Sequence, residues 1–142
     1  MAQEQPVFDA GKGASIASSV TVPAGCETVY LSGLVAWTPG ATPPQGLDTE
    51  AQTARTIEAV QAELGKHGLT LNDIVMMRAY LVADPKLGKM DFAGYSRAYR
   101  RYFLERPQPA TPARVTVEVA RLAFDELLVE LEVVAATRCG AK

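Results

Sequence analysis

The stretch from Arg114 to Ala136 constrains the fold most. Val115, Val117 and Val119 alternate with Arg114, Thr116 and Glu118. After Ala123-Phe124-Asp125-Glu126, the run Leu127-Leu128-Val129-Glu130-Leu131-Glu132-Val133-Val134 repeats the pattern. A period of two with β-branched residues predicts a half-buried strand in each case. The short break between them predicts a C-terminal hairpin. A chain that ends this way needs the rest of its length to cover and extend a sheet.

Arg114 stands at the entry of the first of these strands, just past Pro112. Proline starts strands but does not occupy their centre, which places Arg114 near the rim of the sheet. A planar, permanently charged guanidinium suits bidentate capture of a carboxylate. The commoner role for such a residue is an ordinary surface ion pair, and spacing alone does not separate the two.

Upstream, residues 1–13 read as a loose arm and 14–22 as a first strand. A turn at Pro23-Ala24-Gly25-Cys26-Glu27 leads to a second strand over 28–36. Gly33 inside that strand costs stability unless something approaches closely, and marks either a bulge or tight crossing or a backbone amide exposed to ligand. Residues 37–47, with Pro39, Gly40, Pro43, Pro44 and Gly46, form a loop. Thr49 as N-cap and Gln52 three residues on have capping-box spacing for a helix running to about Lys66. Ile57, Val60 and Leu64 make its apolar stripe, and Gly68 closes it. A strand over 74–82 follows, then a helix capped by Asp91 with Phe92, Tyr95, Tyr99, Tyr102 and Phe103 at helical spacing. A Pro-rich loop over 104–112 leads into the C-terminal strands, and 137–142 form a tail. The order β-β-α-β-α-β-β gives two amphipathic helices one sheet face to cover, a two-layer α+β fold.

The chain of 142 residues is sized for one domain, 1–142. A net charge of −2 with no basic cluster argues against a phosphate backbone as main partner. Cys26 and Cys139, far apart in sequence, read as unpaired thiols in a reducing compartment rather than a disulfide framework or zinc site. The single histidine, His67, falls at a helix end, and no nucleophile motif accompanies it. No metal site is expected. No apolar run of membrane-spanning length and no signal-peptide pattern is present in this sequence, so a cytoplasmic protein is expected.

Pro112-Ala113-Arg114, followed by Val117, Ala120, Leu122 and then Val129-Glu130-Leu131, resembles the signature of the Rid (reactive intermediate deaminase, YjgF) family. Leu31-Ser32-Gly33, Gln52-Thr53, Asp73-Ile74-Val75 and Phe92-Ala93-Gly94-Tyr95 with Tyr99 carry the resemblance from about Ser15 to Ala136. It implies a chorismate-mutase-like arrangement, with two helices on one face of a mixed sheet, assembled as a homotrimer with sites between neighbours. The implied activity is hydrolysis of enamine/imine intermediates, 2-imino acids going to 2-keto acids and ammonia, with no cofactor. Arg114 would hold the substrate carboxylate, the backbone at Ser32 and Gly33 would contact substrate, and Glu130 would orient water. Phe92 would border the pocket. Ser19, Thr116 and Ser96 stand where many deaminases of the family carry Tyr, Cys and Asn, which implies a differently shaped pocket.

In a hairpin, Arg114 would face about Val134 or Ala135, and Glu130 would face Glu118 or Val119. At about 3.3 Å per residue, the two side chains would then lie about 13–17 Å apart. They would therefore meet one small substrate only from different subunits. The alternative is a non-catalytic, small-carboxylate-binding or stress-related interaction trimer of the same fold. Some relatives carry an older ribonuclease label, against which the acidic composition and single histidine weigh.

Overall fold

A computed structural model of the chain describes residues 4–38, 40–107, 109–137 and 139–140. Parts of the expected arm (1–3), of the two Pro-rich loops (39 and 108) and of the expected tail (138, 141 and 142) lie outside the described residues.

The central strand is β5 (Ile74–Asp84), whose sequence IVMMRAYLVAD is apolar on nearly every position. Such a run suits a strand flanked on both edges. β8 (Val129–Ala136) pairs with it antiparallel, Met77 opposite Val133 and Tyr80 opposite Glu130. β7 (Ala113–Val119) pairs along the other edge in parallel, Met77 opposite Arg114 and Tyr80 opposite Val117. The expected C-terminal hairpin is therefore absent: β5 separates β7 from β8. The reason lies in the connection. Leu127 and Leu128 belong to the loop, not the strand, so residues 120–128 are long enough to carry the chain over the end of β5. The parallel pairing of β5 and β7 in turn needs a crossover, which α2 (Phe92–Phe103) provides.

The strand expected over 28–36 is interrupted. β3 (Thr28–Tyr30) and β4 (Leu34–Val35) both pair with β8, with Leu31 to Gly33 out of the ladder between them. Two-residue β6 (Lys89–Met90) folds back on the end of β5. The N-terminal arm is not loose throughout: β1 (Val7–Asp9) pairs antiparallel with β2 (Ser19–Thr21) as a separate hairpin.

Helix α1 (Thr49–Gly65) and α2 cover one face of the sheet. Ile57, Val60 and Leu64 of α1 and Tyr95, Tyr99 and Phe103 of α2 close over Met77, Ala79, Leu81, Leu131, Val133 and Ala135. The helix caps differ in part from expectation. Asp91 caps α2 as predicted, accepting from Gly94 N at 2.9 Å. The N-cap of α1 is Asp48, accepting from Ala51 N at 2.8 Å, rather than Thr49. Gln52 does not reach back to a cap because its amide is fully buried and engaged elsewhere. It donates to Leu47 O and Glu126 O and accepts from Leu128 N, joining both loops to the helix. Ion pairs from Glu50 to Arg101 and Arg97, at 2.6 and 2.8 Å, link the helices outside. Arg101 first and then Arg97 hold the Glu50 carboxyl below the usual range.

The expectation of free thiols fails. Cys26 and Cys139 form a disulfide. The β3–β8 ladder explains it: Thr28 faces Ala136, and Thr137 N donates to Glu27 O, so two residues distant in sequence emerge together at one end of the sheet.

Candidate functional site: two half-sites on opposite sheet faces

Alternation along β7 puts Arg114 and Thr116 on the helix-covered face. The Arg114 guanidinium carbon lies 4.4 Å from the Tyr99 ring centroid and 5.3 Å from that of Tyr95. Among the described residues Arg114 makes no salt bridge, while five other pairs engage Lys66, Arg78, Arg97, Arg100 and Arg101. A half-buried guanidinium resting on aromatic faces, with no salt bridge among the described residues, suits an anion. Thr116 Oγ1 is buried there without a hydrogen-bond partner of good geometry. Burial, the largest cause, pushes the pKa of both phenols up, and the Arg114 charge opposes it. Tyr95 and Tyr99 therefore stay neutral at physiological pH.

Two further expected residues flank this region. Phe92, at the start of α2, is 45% exposed with its ring 6.1 Å from that of Tyr95. Ser96 lies one turn on, half-buried, on the same side of the helix as Phe92. Ser19, exposed in β2, is carried by a segment tied to β7: Ala17 N donates to Pro112 O at 3.0 Å, and Ser15 O accepts from the Tyr99 hydroxyl at 2.8 Å.

The second half-site is on the opposite face, which neither α1 nor α2 covers. Glu130 of β8 leans over Gly33, where an added Cβ would come within 2.8 Å of Glu130 Cδ. Gly33 is therefore small because the Glu130 carboxylate passes over its backbone. Ser32 beside it is exposed. Next along the face, Glu132 takes an ion pair from Arg78 at 2.9 Å and a hydrogen bond from the Tyr80 hydroxyl at 3.1 Å. That acceptor raises the Tyr80 pKa, with burial adding to it. Arg114 and Glu130 are two strands and three register steps apart, about 14 Å from strand spacing and rise. The separation expected from a hairpin thus survives the loss of the hairpin, and the sheet itself now lies between the two groups.

The structure thus gathers Ser32, Gly33 and Glu130 on one face. It gathers Arg114 and Thr116 on the other, with Phe92, Ser96 and the Ser19 segment at its margin. Two clefts, about 820 and 500 Å³, contain neither Arg114 nor Glu130. Among the described residues no group of His, Cys, Asp or Glu is arranged to hold a metal, and no helix is long and apolar enough to cross a membrane. Helical spacing reads Tyr95 and Tyr99 as part of an apolar stripe and gives them no role at the site. Their i, i+4 spacing, set against the strand bearing Arg114, was the available signal. Trp37 and Phe124, whose rings meet edge-on at 4.7 Å across the two loops, gave none.

The sequence model of the family described as Endoribonuclease L-PSP matches residues 16–137. The chain belongs to the Rid family. Its relatives include a RutC family protein of Saccharolobus solfataricus, 39% identical over 77% of this chain and 79% of that one. Another is the 2-iminobutanoate/2-iminopropanoate deaminase of Salmonella typhimurium, 36% identical over 64% of this chain and 66% of that one. A Rid family protein of unknown function from Yersinia pestis superposes with a TM-score of 0.75, at 24% identity over 93% of this chain and 98% of that one. E. coli TdcF with bound serine gives 0.65 at 30% identity, over 82% and 84%. These neighbours share the two-layer α+β, chorismate-mutase-like fold of this Rid protein.

Proposed function

We propose that this Rid protein is a hydrolase that converts 2-imino acids, formed from their enamines, to 2-keto acids and ammonia. The observation that carries this reading is Arg114: a half-buried guanidinium laid on two tyrosine rings with no carboxylate partner among the described residues. It fits a small planar carboxylate. The relative named as an iminobutanoate/iminopropanoate deaminase and the neighbour with bound serine, itself a small amino acid, support a ligand of this class.

Glu130 supplies the other function. Its carboxylate orients water, takes a proton from it as the oxygen attacks the imine carbon, and later returns that proton to the departing nitrogen. The C=N bond becomes C=O, water providing the oxygen, and ammonia leaves. Backbone at Ser32 and Gly33 contacts the substrate beside Glu130; Phe92, Ser96, Thr116 and Ser19 shape the pocket around Arg114. Because the sheet separates Arg114 from Glu130 in one chain, a complete site takes Arg114 from one subunit and Glu130 from its neighbour in a homotrimer. The uncovered sheet face, with Val115 42%, Val117 39% and Tyr30 74% exposed, supports such an assembly. A closed cyclic trimer repeats that contact three times.

An amino-acid oxidase that generates 2-imino acids in the presence of semicarbazide tests the reading. The wild-type protein is expected to suppress semicarbazone formation, and Arg114→Ala to abolish the effect while keeping its circular dichroism and melting transition. A wild type inactive with every side chain would transfer the assignment to a second reading, a non-catalytic carboxylate-binding trimer. Ser19, Thr116 and Ser96 favour that alternative, since each replaces a residue common in the deaminases that this sequence resembles. The net charge of −2 gives no support to RNA cleavage, despite the description of the family.

A further inference from the structure

Tyr99 touches two things at once. Its ring carries the Arg114 guanidinium at 4.4 Å, and its hydroxyl donates to Ser15 O at 2.8 Å. The ring itself is fixed, 1% exposed and stacked on Phe103 at 4.5 Å with planes 16° apart. Tyr95 continues the column at 5.9 Å. Arg114 is thus seated on a platform that cannot move without disturbing the core.

The choice of an aromatic support has a chemical consequence. A carboxylate partner would hold the guanidinium through its N–H edge and would compete with a substrate carboxylate for the same donors. A ring attracts the cation through its face and brings no negative charge to compete with an anion for the guanidinium. Ordering the flexible arginine stem in advance also removes an entropic cost from binding. We propose that Tyr99 is the positioning residue for Arg114, holding the guanidinium in its carboxylate-binding pose while anchoring, through Ser15, the segment that bears Ser19. The inference rests on the reading of Arg114 as the carboxylate site.

The two contacts separate by substitution. Tyr99→Phe keeps the ring and loses the Ser15 bond; Tyr99→Leu loses both. Calorimetric titration with 2-oxobutanoate, a 2-keto acid, reads carboxylate capture without turnover. Tyr99→Phe is expected to bind within about twofold of wild type. Tyr99→Leu is expected to bind about tenfold more weakly, the fold-change for about 1.4 kcal/mol of partly desolvated cation–π attraction. In turnover the same loss should raise KM more than it lowers kcat. Wild-type affinity in Tyr99→Leu, or equal losses in Tyr99→Phe and Tyr99→Leu, would overturn the proposal. Arg114→Ala distinguishes the layers: unchanged binding there removes the functional reading, whereas lost binding there with normal Tyr99→Leu removes only the positioning role. Should Tyr99→Leu fail to fold, the Arg114 side-chain protons of the wild type give the answer by NMR. They should be shielded by the rings, upfield of the ordinary arginine range, and unshifted signals would overturn the placement.

Discussion

The two faces of the sheet are built from the same strands and differ in nearly everything else. On the helix side, Leu131, Met77, Ala79 and Leu81 are 0% exposed and every large apolar group has a neighbour. On the other side, the same strands present Arg78, Glu132, Tyr80 and Glu130, with Val115 and Val117 left open. Each face carries one charged group of the proposed chemistry. Arg114 is immobilised by core rings, and Glu130 lies over a glycine on the face that lacks a covering layer. The first face is finished within the chain; the second has the mixed polar and apolar character of a surface waiting for another subunit.

The sharpest test of that contrast pairs one substitution from each face. Leu131→Ala opens a cavity in the finished core and is expected to cost about 2–5 kcal/mol of unfolding free energy, read by urea denaturation. Val115→Lys, which places a second cation beside Arg78 in the register, is expected to change the stability of the isolated subunit by only about 0.5 kcal/mol. Its expected effect is on assembly: sedimentation should show the trimer dissociating. A Val115→Lys protein that remains trimeric would mean that the open face is not the interface.

Why the sequence conveyed one face and not the other follows from particular residues. Ile57, Val60 and Leu64, and the aromatic series from Phe92 to Phe103, announce helices with a covered stripe, and both helices stand where expected. Alternation in β7 and β8 announces strands but carries no information on which neighbour each takes. The local preference for a hairpin loses to β5, apolar along nearly its whole length, which is filled on both edges. Alternation also implied a buried valine set in β7. The valines instead face outward, Val115 and Val117 on the face that α1 and α2 leave open, while Arg114 and Thr116 point at the helices. The disulfide was hidden for a similar reason: only the β3–β8 register, a contact across most of the chain, brings Cys26 to Cys139. Arg114 is singled out by its place at a strand entry as well as by the resemblance, and Glu130 by the resemblance alone; the tyrosine platform and the Gln52 link emerge only once the layers are packed.

A smaller effect separates the chemistry of the two faces. Gly33→Ala would push a methyl group against the Glu130 carboxylate without touching Arg114. It is expected to lower kcat for imine hydrolysis about tenfold or more, since correctly placed acid–base groups contribute about 10²–10⁴-fold. The affinity for 2-oxobutanoate should stay near the wild-type value. Arg114→Lys should do the reverse, weakening affinity by loss of the bidentate fork. If Gly33→Ala weakens affinity as much as Arg114→Lys does, the division of labour between the faces is wrong.

In a single subunit the smallest expected effect is at Glu132, and it bears on what covers the open face. Glu132 pairs with Arg78 and accepts from Tyr80, but the two charged side chains are 37% and 40% exposed in the single chain. At that exposure water screens the pair, and Glu132→Gln should cost only about 0–1 kcal/mol in a dissociated subunit such as Val115→Lys. If the proposed trimer covers this face, the same residues lose their water. Removing one partner then leaves Arg78 poorly compensated, and the cost should rise to several kcal/mol. Measuring Glu132→Gln in both backgrounds therefore reports whether this network is buried on assembly. Equal costs in the two would show that Arg78, Tyr80 and Glu132 stay wet, and that subunits meet along the β7 edge rather than across the face.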